Sequence, residues 1–188
     1  MLSSEYLETV ERVMRDRGFD FAVGLSEGEL RSAEEVLGVS FPPDLRELLK
    51  HAAPSGDRFP DWRDPQSAAI AERLAWPADG MCFDIEHNDF WLPEWGDRPD
   101  SLEQAKAQAR VQVSRAPVLI PVFAHRYLPA TPCRAGNPIF SVYQTDIIYY
   151  GLDLPSYLEA EFGVPNPFAV PEVPREIELW SKLERLDD

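Results

Sequence analysis

The stretch GNPIFSVYQTDIIYYGLDL, residues 136–154, contains two apolar and aromatic runs separated by three polar residues. Residues 138–143 and 147–151 are rich in β-branched and aromatic side chains, which predicts two strands. The triplet between them, Gln144-Thr145-Asp146, has the length of a tight reversal and therefore predicts an antiparallel hairpin.

The polar triplet has two interpretations, a catalytic or ligand-binding insert or a hydrogen-bonded hinge between buried strands. We favour the hinge, because spacing alone shows no second polar cluster that converges on the triplet. Thr and Asp side chains bond readily to nearby backbone N–H groups, and Gln144 can both donate and accept. We therefore predict that Asp146 accepts backbone hydrogen bonds in the connection between the two strands.

Apolar spacing and capping signals predict helices on both sides of the hairpin. They cover residues 4–17, 26–37, 43–51, 64–76, 101–114, 154–162 and 175–186, and the fourth ends before Pro77. Further strands are predicted at 81–85 and at 118–124, where Pro121 indicates a bulge or an edge position. Because helices come first and strands cluster later, the pattern favours an α+β fold with an antiparallel or mixed sheet.

The chain of 188 residues carries a formal net charge of −15. Such an acidic protein repels nucleic acid and anionic lipid, so we expect neither as a direct ligand. It attracts basic proteins, although net charge can also serve solubility alone. We predict a protein partner, no membrane association, and a monomer or a weak dimer.

The two cysteines, Cys82 and Cys133, are far apart and match no metal-ligand spacing. A disulfide between them is one possibility, but the composition fits a reducing compartment better. The first residues lack the basic flank and apolar stretch of a signal peptide. We therefore predict a cytoplasmic protein.

The segment FDIEHNDFWLPEWGDRPD, residues 83–100, combines carboxylates, a histidine and two tryptophans. If residues 83–87 are extended, Asp84 and Glu86 share one face while His87 points the other way. These three residues could hold a divalent cation or divide acid and base roles in a hydrolase. The spacing matches no specific metal motif, so a solvated strand end is the favoured interpretation.

A third interpretation of the same segment is a surface that grips a basic protein, because aromatic side chains supply contact area and acids supply charge. The tryptophans could instead belong to the core. The candidate partner-binding residues are Glu86, His87, Asp89, Trp91, Glu94 and Trp95.

Signatures of common enzyme classes are missing from the sequence: there is no P-loop, no G-x-G-x-x-G, no nucleophile elbow and no catalytic-cysteine motif. His125 stands beside Arg126 without a serine or carboxylate fixed nearby, so a structural role is favoured. We predict a protein that is not an enzyme and has no catalytic residues, metal or cofactor.

Three blocks follow one another in the sequence: LSEGELRSAEEVLGVSFPPDLRELLKH with the following FPDW, then GMCFDIEHNDFWLPEWGDRP, and then GNPIFSVYQTDIIYYGLDLPSYLEAEF, with HRYLPATPC before the last. In this order they resemble the SUKH superfamily, which includes the yeast cell-wall-assembly and killer-toxin-resistance regulator. The resemblance implies N-terminal helices packed on a bent, mainly antiparallel sheet, with further helices near the C-terminus.

The resemblance also implies a non-enzymatic role, because bacterial members commonly bind and neutralise toxins, including nucleases, and fungal members are regulatory interaction modules. It suggests an immunity protein for a basic toxin; the alternatives are a regulatory scaffold and the hydrolase built on Asp84, Glu86 and His87. The predicted organisation is one compact unit made of a helical extension (1–24), a SUKH-like domain (25–163), and a Pro-rich link with a C-terminal helix (164–188).

Overall fold

The computed structural model describes residues 2–186. The helices are α1 (Ser4–Asp16), α2 (Glu27–Leu37), α3 (Pro43–His51), α4 (Ala68–His87), α5 (Leu102–Arg115), α6 (Leu154–Phe162) and α7 (Trp180–Glu184). The strands are β1 (Asp20–Val23), β2 (Ala52–Ser55), β3 (Leu119–Phe123), β4 (Arg126–Pro129), β5 (Ile139–Tyr143) and β6 (Asp146–Gly151). A short 3-10 helix covers Pro93–Trp95. The α+β prediction is confirmed.

Strands β3 to β6 form an antiparallel sheet in which each strand pairs with its neighbour in sequence. The predicted hairpin is β5–β6, and Tyr143 pairs with Asp146 across its turn. Strand β3 lies at the edge of the sheet and its register shifts between Pro121 and Phe123, so both features expected of Pro121 are present. A second, two-stranded sheet pairs β1 with β2.

Helices cover both faces of the four-stranded sheet, and the alternation of side chains along the strands separates two apolar clusters. Ile120, Leu128 and Ile139 belong to the cluster that includes side chains of α1, α2, α3 and α6. Their neighbours Leu119, Tyr127 and Phe140 belong to the cluster formed with α4, α5 and α7. The sheet therefore lies between two helical layers.

The termini of several helices match the signals in the sequence. Ser26 and Glu29 form a capping box at the start of α2, and Gly38 ends that helix with a left-handed φ of 68°. Ser101 caps α5 by accepting a hydrogen bond from the backbone of Gln104. The C-terminal helix is shorter than predicted, yet Trp180 is buried in the second cluster and its indole N–H donates to the carbonyl of Pro117.

Helix α4 contradicts two predictions. It continues through Pro77 instead of ending before it, and residues 81–85 are helical instead of forming a strand. Proline lacks an N–H and leaves the carbonyl of Arg73, four residues earlier, without its helical partner. The hydroxyl of Tyr127 donates to that carbonyl at 2.9 Å, so a residue of the sheet supplies the missing hydrogen bond.

Candidate protein-binding surface

The turn between β5 and β6 is held by a carboxylate from another element. The backbone N–H and the hydroxyl of Thr145 both donate to Oδ2 of Asp84 in α4, at 2.8 and 2.5 Å. The side-chain amide of Asn88 donates to Oδ1 of Asp84 at 2.6 Å. Asp84 is only 3% exposed, so these bonds compensate for the burial of its carboxylate.

Asp146 does not have the role predicted for it. Its side chain is exposed, and within residues 2–186 its carboxylate accepts no hydrogen bond. The hinge interpretation of the triplet fits the structure, but the carboxylate that accepts the backbone hydrogen bond comes from Asp84, 61 positions earlier in the chain.

A glycine allows α4 to contact this turn directly. A Cβ at Gly80 would lie 2.7 Å from the Cα of Gln144 and 3.1 Å from its backbone nitrogen. Because those atoms are backbone, a side chain at position 80 would force the helix and the turn apart. Gly80 and Asp84, one helical turn apart, therefore fix the hairpin tip against α4.

Three large aromatic side chains remain exposed around this contact. Trp76 is 44% exposed, Phe83 is 46% exposed and Tyr143 is 55% exposed. The ring centroids of Trp76 and Tyr143 are 6.3 Å apart, and the ring of Phe83 lies 4.4 Å from that of His87. Positions 76, 80, 83 and 87 follow helical spacing, so these α4 residues share one face. We call Trp76, Phe83, His87 and Tyr143 the aromatic ridge.

Of the candidate residues in segment 83–100, the acidic ones are paired with bases of the same chain. Glu86 forms an ion pair with Lys106, Glu94 with Lys182, and Asp89 with Arg98 at 3.0 Å. The hydrogen bond from Lys106 lowers the pKa of Glu86, and that from Lys182 lowers the pKa of Glu94. These exposed pairs contribute little to stability, but they reduce the negative charge available to a partner.

The aromatic candidates of the segment differ in exposure. Trp95 is buried at 8% exposure, and Trp91 is half-buried with its indole N–H donating to the carbonyl of Gly96 at 2.7 Å. The two rings meet edge to face at 5.2 Å. His87 is exposed beside Phe83, so it is the one candidate that belongs to the aromatic ridge.

The residues of the hydrolase alternative are not brought together. Asp84 points to the hairpin turn, whereas Glu86 bonds to Lys106 of α5, as expected for positions two apart on a helix. Among the residues from 2 to 186, no group of three or more His, Cys, Asp or Glu side chains is placed to hold a metal ion. Residues 83–87 are helical, so the prediction that Asp84 and Glu86 share one face of an extended segment is wrong.

The remaining polar candidates have structural surroundings. His125 is half-buried at the β3–β4 turn, and its carbonyl accepts from the backbone of Val142; desolvation, followed by repulsion from Arg126, lowers its pKa. Cys82 is buried and Cys133 is exposed, and both thiols are free.

A cleft of about 440 Å³ lies beside the two-stranded sheet, between Val23, Leu49, Trp62 and their neighbours. Its rim residue Arg63 forms an ion pair with Glu29 at 3.0 Å and also bonds to the carbonyl of Val23. The guanidinium of Arg63 is thus engaged within the chain.

Comparison with protein-family models, with curated proteins and with solved structures found no match. Within the described part of the chain, no helix combines the length and apolar character that crossing a bilayer requires.

The aromatic ridge was missed in the sequence because Trp76 and Phe83 belong to two different predicted elements. Trp76 stands at the end of the predicted helix 64–76, and Phe83 stands in the predicted strand 81–85. Only a helix that continues through Pro77 places both on one face. Their spacing of seven residues was the available signal.

Proposed function

We propose that the protein is a non-enzymatic binding module that holds a basic protein partner and neutralises it, in the manner of an immunity protein. The partner class follows from charge, and the mode of action follows from the resemblance to the SUKH superfamily.

The observation that carries this proposal is a surplus of exposed carboxylates that the fold leaves unpaired. Arg46, Lys50 and Arg63 already form ion pairs with Glu27, Glu29 and Glu34. Exposed acids that form no ion pair with any described residue occur on several elements, among them Glu5, Glu8, Glu72, Asp97, Asp100, Glu103 and Asp146. Unpaired surface charge of one sign steers a partner of the opposite sign and speeds association.

The regulatory-scaffold alternative uses the same surface and differs only in what happens to the partner. The hydrolase alternative would require Asp84 to bind a metal or a substrate. Its oxygens instead accept three hydrogen bonds in a buried position. The buried and hydrogen-bonded Asp84 therefore favours a binding module over a hydrolase.

The decisive experiment is a titration against the basic proteins encoded by the genes that flank its own. We expect stoichiometric binding by calorimetry, loss of the partner's toxic activity at one equivalent, and an association rate that falls as added salt shortens the Debye length from its value of about 8 Å at physiological ionic strength. Binding without loss of activity would indicate a scaffold. Absence of binding to all of these proteins would overturn the proposal.

A further inference from the structure

We propose that the aromatic ridge is the docking surface for an arginine-bearing segment of the basic partner. The inference rests on the proposed function for the class of partner and adds the surface and the side chain that it recognises.

Contacts within the chain hold Trp76 and the turn beneath the ridge in place before any partner arrives. The indole N–H of Trp76 donates to the carbonyl of Val142 at 3.0 Å, which holds the ring beside Tyr143. Asp84 and Gly80 hold the turn below it against α4. Exposed aromatic side chains that are held rigidly lose little entropy on binding, and Trp and Tyr are the residues most enriched where binding energy concentrates.

Two unpaired acids lie beside the Trp76 and Tyr143 part of the ridge. Glu72 is exposed one helical turn before Trp76, and Asp146 faces Tyr143 in the hairpin register. Neither carboxylate has an ion-pair partner in the part of the chain that the structure describes. Glu86, Glu94 and Asp89 of segment 83–100 are instead paired with Lys106, Lys182 and Arg98. The ridge therefore combines apolar area with free negative charge.

Arginine fits this combination better than lysine does. A guanidinium can stack on an aromatic face while its N–H groups donate to a carboxylate, whereas an ammonium is more strongly hydrated and has no planar face. The chain uses the same chemistry internally, since the guanidinium carbon of Arg126 lies 3.6 Å from the centre of the Tyr150 ring while Arg126 pairs with Glu161. We infer an equivalent contact between partner arginines and the ridge.

The test uses two peptides of equal charge, nona-arginine and nona-lysine, at physiological ionic strength. The Trp76 indole N–H signal is followed by NMR and assigned by its loss in Trp76→Phe. Phe83→Lys is compared with Val111→Lys on α5, because Phe83 is 46% exposed, Val111 is 47% exposed and both changes add one positive charge. Tyr143→Lys provides a second ridge variant, and thermal unfolding checks that all variants fold.

We expect nona-arginine to shift the Trp76 signal and to bind more tightly than nona-lysine. Phe83→Lys and Tyr143→Lys should each weaken nona-arginine binding about tenfold or more, and Val111→Lys by about twofold at most. Equal losses in all three variants, or equal affinity for both peptides, would overturn the inference. NMR shifts confined to the signals of other acidic residues, such as Asp97, Asp100 and Glu103, would also overturn the inference.

The experiments distinguish failure of the proposed function from failure of the docking surface. If the proteins of the flanking genes do not bind but nona-arginine occupies the ridge, the neutralising role is wrong and the docking surface stands. If a flanking-gene protein binds and is neutralised equally well by wild type, Phe83→Lys and Val111→Lys, the function stands and the docking surface is wrong.

Discussion

The hydroxyl of Tyr127 in β4 donates a 2.9 Å hydrogen bond to the backbone carbonyl of Arg73 in α4. That carbonyl would bond to the N–H of residue 77 in a regular helix, but residue 77 is proline. Tyr127 is buried, and desolvation raises the pKa of its phenol, so the hydroxyl keeps its proton and remains a donor. The sheet thus compensates for the proline within the helix.

This relationship gives a double-mutant prediction. Tyr127→Phe should lower the free energy of unfolding by about 1–3 kcal/mol, because it leaves the part-buried carbonyl of Arg73 without a donor. In a Pro77→Ala background the helix supplies its own N–H to Arg73, so the same change should cost clearly less. Chemical denaturation of wild type, both single variants and the double variant measures the coupling. Equal costs in the two backgrounds would show that the Tyr127 hydroxyl does not compensate for Pro77.

The Tyr127–Arg73 contact also shows why α4 could not be predicted from local sequence. A proline within a helical pattern usually ends the helix, and the alternation in MCFDI resembles a strand. What allows the helix to continue is a hydroxyl 54 positions away in the chain. The helices α2, α3 and α6 and the β5–β6 hairpin were predictable because their caps and turns are local signals.

The turn at Thr145 supports a prediction that contrasts two aspartates. Asp84→Ala removes the acceptor for the backbone N–H and hydroxyl of Thr145, so it should lower the free energy of unfolding by about 1–3 kcal/mol. Asp146→Ala, at an exposed position, should change it by no more than about 0.5 kcal/mol. Thermal or urea unfolding distinguishes them. The reverse order would restore the prediction made from sequence alone.

Gly80 provides a test of the contact between α4 and the hairpin. Alanine is the better helix former, by about 1 kcal/mol over glycine. At position 80, however, its Cβ would meet the Gln144 backbone at 2.7 Å, and overpacking typically costs about 1–3 kcal/mol. Gly80→Ala should therefore destabilise the protein.

Gly28→Ala in α2 is the matched control, because a Cβ there meets only Ser26 Oγ at 3.9 Å. Stability should be unchanged or raised by up to about 1 kcal/mol. Melting temperatures of the two variants compare them directly. A stabilised Gly80→Ala variant would mean that the turn moves away without cost.

The candidate site could be predicted only in part. The sequence indicated a partner-binding surface of aromatic and acidic residues near position 87, and His87 does lie on the aromatic ridge. It could not show that Trp95 is buried or that Lys106 and Lys182 neutralise Glu86 and Glu94. Those facts depend on how α5 and α7 pack beside the segment, which no local pattern encodes. The docking surface itself stays a prediction.

Asp44 should make the stability of the protein depend on pH. Its carboxylate is buried near the start of α3, and desolvation raises its pKa despite hydrogen bonds from the backbone N–H groups of Gly136 and Leu45. An acid with a raised folded pKa binds a proton more readily in the folded state than in the unfolded state. Asp44 therefore adds to the free energy of unfolding as pH falls through the raised pKa, and this gain levels off below the unfolded value of about 3.9.

Asp44→Asn removes this titration, so the difference in unfolding free energy, wild type minus Asp44→Asn, should increase as pH falls from 7 toward about 4. Urea denaturation at several pH values gives both curves. Asp64→Asn, at an exposed position, removes one negative charge without the burial and serves as the control for net charge. Parallel curves for wild type and Asp44→Asn would show that the buried carboxylate titrates as it does in the unfolded chain, because its backbone hydrogen bonds then offset the desolvation in full.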